Sequence, residues 1–142
     1  MLGALTVGVA GWYFVLRGGG EPSGDFVRAE QTYVKAAREI PVAATQVQQQ
    51  TDLGGFDVVA SASLVRMGKQ LEVFRRLATD EEGESARIAD DAAKSASLGM
   101  NSAVIFRNAL TRNRVADANG ALQQLDDAIN DLEATAQRWK KL

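Results

Sequence analysis

The side chains that most often carry chemistry are missing from this chain. Histidine and cysteine are both absent, which removes the commonest general base, the commonest metal ligand and the thiolate nucleophile. Neither a Ser-His-Asp nor a Cys-His arrangement can be assembled, and there is no disulfide framework or thiolate metal site. Carboxylates remain. Asp90-Asp91 and Asp126-Asp127 are the adjacent pairs that invite a metal reading. Adjacent residues on a helix point about 100° apart, so neither pair converges on one ion. No calcium-binding loop or Glu-x-x-His element accompanies them. Both pairs read as solvated faces, and no catalytic residue, metal site or cofactor is expected. The chain reads as a non-enzymatic protein.

Composition points the same way. The 142 residues are 46% hydrophobic and 24% charged, enough for one domain with a true core. With a net charge of -2 and a pI of about 5.2, nothing suggests a nucleic-acid binder, which should show a basic stripe. With only 2 prolines and abundant Ala, Leu, Gln and Asp, helix is favoured over sandwich or barrel.

Hydrophobic periodicity supplies the elements. Val115, Ala118, Leu122, Leu125, Ile129, Leu132, Ala136 and Trp139 recur in steps of three and four, with polar residues between them. That stripe predicts an amphipathic helix buried against others. A first bundle helix is expected over residues 25–50, capped by Ser23 or Asp25, with Phe26, Tyr33, Ala37, Ile40, Ala44 and Val47 as its seam. Pro41 lies inside it and predicts a kink or short break, because it cannot donate to the carbonyl of Ala37. Gly54-Gly55 marks a turn over residues 51–56, and Asp57 is placed to cap a second helix running to Ala78. Its seam is Ala60, Leu64, Met67, Leu71, Phe74 and Ala78. Thr79-Asp80-Glu81-Glu82 has the spacing of a capping box for a third helix reaching Arg112. The third seam is small: Ile88, Ala92, Ser95, Gly99, Ser102, Phe106 and Ala109. The fourth helix starts either at Asn113 or only after Asn119-Gly120. Four such segments joined by short turns, without strand signals, predict an all-α, up-down-up-down four-helix bundle over residues 25–142.

Ahead of the bundle, residues 1–16 carry no charged side chain and Arg17 ends the run. A helix of that length spans about 24 Å, short of the roughly 30 Å hydrocarbon core. Leu5, Val7, Val9, Phe14, Val15 and Leu16 supply the apolar body of an N-terminal membrane anchor over residues 1–17. Trp12 and Tyr13 suit its interface. Ala4, Gly8 and Gly11 leave one flank small enough for helix–helix contact in lipid. The start is not basic and Arg17-Gly18-Gly19-Gly20 follows directly, which speaks against a cleaved signal peptide. Residues 18–24, rich in glycine, form a linker.

Alternating helix directions then sort the remaining side chains into two ends. Arg75, Arg76, Arg138, Lys140 and Lys141, with Trp139, fall at the end nearer the anchor. There they are candidates for anionic headgroups, opposed by Asp80, Glu81, Glu82 and Glu84. Phe56, Arg112 and Arg114 fall at the far tip, as candidates for a protein partner. The expected function is an accessory or interaction subunit of a larger membrane protein complex. It contacts the lipid bilayer and its partner through anchor and tip, with the bundle on the extracytoplasmic side. A ligand-binding or sensor bundle is the alternative, with a small molecule held where the small seam of the third helix faces Tyr33, Met67 and Phe74.

Overall fold

The computed structural model describes residues 24–47 and 53–142. Within them the chain forms four α-helices: α1 (Gly24–Thr45), α2 (Leu53–Asp80), α3 (Gly83–Thr111) and α4 (Val115–Lys140). They pack as a four-helix bundle, each against the next and α4 back against α1. The expected anchor over residues 1–17 and most of the expected linker lie outside the described residues.

Aromatic rings set the two ends of the core. Phe26 of α1 stacks on Trp139 of α4 at 4.3 Å between centroids, and its other side meets Phe74 of α2 at 5.2 Å. At the opposite end Phe56 meets Phe106 edge-on at 6.1 Å. Such pairs add about 0.5–1.5 kcal/mol beyond the area they bury. Between these layers run Ile40, Met67, Leu71, Ile88, Leu125, Ile129 and Leu132, all buried.

The middle of the bundle is organised by one crossing contact. Tyr33 reaches across from α1, and its hydroxyl donates to the carbonyl of Ala96 on α3 at 2.6 Å. Gly99 makes the passage: a Cβ there would overlap Tyr33 Oη and lie 3.3 Å from Ala128 Cβ. The small seam of α3 therefore serves a buried tyrosine, and burial pushes that phenol's pKa up.

Several expected boundaries move. α1 continues through Pro41 to Thr45 without a break. Proline forfeits only the bond to Ala37 O, and the helix ends beyond it with Thr45 Oγ1 donating to Val42 O at 2.7 Å. Asp25 sits within the first turn of α1 rather than ahead of it, and its carboxylate pairs with Arg28 and Arg76. α2 begins at Leu53, so Gly54 and Gly55 lie in its first turn and Asp57 one turn inside. Asp57 is not a cap; it accepts from Arg107 Nε at 2.6 Å, tying α2 to α3.

The capping box does not form. α2 runs to Asp80, Thr79 Oγ1 donates back to Arg75 O at 3.2 Å, and Glu82 precedes α3 without a side-chain cap bond. Two residues are left for the reversal, and Gly83 makes it by adopting φ +63°, open to glycine at little cost. Asn113 (φ 58°) does the same between α3 and α4, where the short polar side chain of Asn tolerates the left-handed region. Arg114 is the residue before α4, and Gly120 is interior to it.

The seams are recognisable but rotated at their margins. In α2 Phe56, Ser63 and Leu77 are buried, while Leu64 and Ala78 are only half-buried. In α3 Ala89, Ala93, Ala96 and Ala103 join the core and Ser95 moves to its edge; in α4 Val115 is exposed.

Candidate functional site

At the end where Phe26 stacks on Trp139, the basic residues are held by acids. Arg75 pairs with Glu72 at 2.8 Å, Arg76 with Asp25 at 3.2 Å and Arg138 with Asp91 at 2.9 Å. Arg138 also lies 3.9 Å from Glu84. Lys140 faces Glu30, and Lys141 follows α4 in the open. The five are brought to one end, as the helix directions require, but three of them already have carboxylate partners. Exposed pairs of this kind contribute about 0–1 kcal/mol each.

Glu30 is the acid that sequence patterning overlooked. It sits on the α4-facing side of α1, only 7% exposed. Burial raises its pKa above the usual carboxylate value; Lys140 opposes the shift, Glu133 adds to it and Arg38 opposes it. Arg38 itself donates to both oxygens of Glu133 at 3.2 Å, so the α1–α4 seam is laced by charge. The signal available was only that Glu30 lies four residues before Val34 and four after Phe26, on the edge of the stripe.

The far end is built differently. Phe56 was expected to stand on the tip; it is 2% exposed, turned inward because α2 starts early and its ring meets Phe106. Arg112 and Arg114 do stand at the tip, on either side of the left-handed Asn113. They overhang a groove between α3 and α4 of about 490 Å³. Ile105, Ala109, Ala116, Gly120 and Ala121 supply its apolar floor, and Asn108, Asp117 and Gln124 its polar edge. Arg114 lies 3.8 Å from Asp117, a loose pair on the rim. Arg112 has no ion-pair partner among the described residues.

Large aliphatic side chains also face outward along the bundle. Val58 is 69% exposed, Leu98 61% and Val65 59%. The buried hydroxyls, by contrast, are engaged: Ser102 Oγ donates to Leu98 O at 2.9 Å, Thr135 Oγ1 to Asp131 O at 2.8 Å and Ser63 Oγ to Glu39 at 3.4 Å. No group of three acidic side chains is placed to hold a metal ion among the described residues. Among the described residues, too, no helix is long and apolar enough to cross a membrane. The anchor candidates, Leu5 to Leu16 with the small flank Ala4, Gly8 and Gly11, lie outside them. Comparison with known proteins finds no match for this chain, whether among family models, curated proteins or solved structures.

Proposed function

We propose that the chain is a non-enzymatic, membrane-anchored interaction subunit whose helical bundle docks onto a larger membrane protein complex. Residues 1–17 hold it at the bilayer and the glycine-rich linker lets the bundle pivot, on the extracytoplasmic side. The observation that carries this reading is a filled interior beneath exposed aliphatic side chains on α2 and α3. Tyr33 occupies the space beside the small seam of α3, while Val58, Val65 and Leu98 stand out into solvent. Scattered surface aliphatics are ordinary, but large ones along two adjoining helices favour contact with another protein. A ligand between the helices would have to displace Tyr33, and no observation favours that reading.

The test is co-purification from native membranes in mild detergent. One membrane protein is expected to accompany the chain in fixed ratio. Leu98→Asp and Val65→Asp are expected to release it while leaving the helical circular dichroism unchanged. A chain that elutes alone, or a partner indifferent to both substitutions, contradicts the proposal.

A further inference from the structure

Among the described residues nine of the ten arginines pair with a carboxylate, and the tenth lines a groove. Every other described arginine pairs with a carboxylate: Arg28, Arg38, Arg66, Arg75, Arg76, Arg87, Arg107, Arg114 and Arg138. Arg112 alone does not, and it lines the α3–α4 groove at the far tip. Its neighbour Arg114 is satisfied only by the loose contact to Asp117. Below them the floor is apolar and open. Ile105 is 50% exposed, and a side chain built at Gly120 would meet nothing within 4 Å. Arg114 precedes α4 without a side-chain cap, so the positive end of that helix adds to the same field.

We infer that this groove receives an acidic, amphipathic segment of the partner protein, seating an aliphatic side chain on Ile105, Ala109 and Gly120 and a carboxylate on Arg112. The inference rests on the interaction-subunit reading and names the partner's chemistry within it. A planar guanidinium takes a carboxylate in paired hydrogen bonds, and partial burial under an aliphatic neighbour strengthens them. A lipid headgroup is a poorer occupant on position. The groove lies toward the opposite end of the bundle from Gly24, with Gly120 about 30 Å along α4 from Lys140.

The probe is a fluorescent, acetylated and amidated alanine-based peptide carrying leucines and glutamates, titrated against the full chain in mild detergent. Its counterpart has glutamine for glutamate. Saturable binding is expected for the acidic peptide, weakened about fivefold or more by Arg112→Ala or by the glutamine counterpart. Gly120→Leu is expected to abolish binding by filling the floor, while raising rather than lowering helicity. Absence of saturable binding, or binding indifferent to both Arg112→Ala and Gly120→Leu, overturns the inference. So does Arg112-dependent capture by phosphatidylglycerol vesicles without peptide binding, which would assign the arginine to lipid. If a partner co-purifies and survives Arg112→Ala, the groove fails alone. If none co-purifies, the interaction-subunit reading fails with it.

Discussion

Gly99 and Tyr33 form the contact on which the centre of the bundle depends. Gly99→Ala puts a methyl group into the space of Tyr33 Oη, with Ala128 close on the other side. Overpacking of this kind costs about 1–3 kcal/mol. Tyr33→Phe removes the obstructing oxygen and one buried hydrogen bond, a loss of about 1 kcal/mol. The double variant is expected to be more stable than the sum of the two, because the second change relieves the clash made by the first. Urea denaturation of the three variants measures this; strict additivity would mean that the two side chains do not meet. Glu30 gives a second prediction at this scale. Its pKa is raised in the folded chain, chiefly by burial, with Lys140 and Glu133 facing it from α4 and Arg38 from α1. A carboxyl with a raised folded pKa favours folding when protonated, and that contribution disappears as pH climbs from the unfolded value through the folded one. Glu30→Gln is therefore expected to raise the melting temperature relative to the parent at pH 7, with the advantage shrinking towards pH 4. An advantage that grows on acidification would contradict the burial of this group.

At the scale of elements, the four helices and their order were legible because each carries a long apolar stripe, and stripe length is a strong signal. Tyr33, Phe74, Leu125 and Trp139 fall in the core as their spacing demands. The ends were less legible because turn chemistry competes with propensity. Gly54 and Gly55 read as a stop, yet they begin α2, where packing of Phe56 and Ala60 outweighs the roughly 1 kcal/mol each glycine costs. Thr79 read as a cap, yet α2 extends past it and Gly83 supplies the reversal instead. The tip shows both outcomes. Arg112 and Arg114 lie at the α3–α4 junction, where helix direction puts them, whereas the exposure of Phe56 depended on where α2 begins. Glu30 could not be found by periodicity, since a charged residue at a stripe edge is usually exposed. Gly120 lies in an open helical site of α4. Gly120→Ala is accordingly expected to stabilise the bundle by about 0.5–1 kcal/mol in thermal unfolding. A loss of stability there would mean that α4 does not run continuously from Val115.

For the whole molecule, the proposed function assigns attachment and docking to different segments. α1 to α4 contain no span apolar enough for a bilayer among the described residues, and residues 1–16 carry no charge. Membrane attachment should therefore be separable from folding. The most direct measurement is to express the full chain and a chain beginning at Gly24, wash the membranes at alkaline pH and sediment them. The full chain is expected in the pellet. The shorter one is expected in the supernatant, helical by circular dichroism and unfolding in a single cooperative step. A full chain released by the wash, or a shorter chain that loses its helices, would contradict an anchored, independently folded bundle.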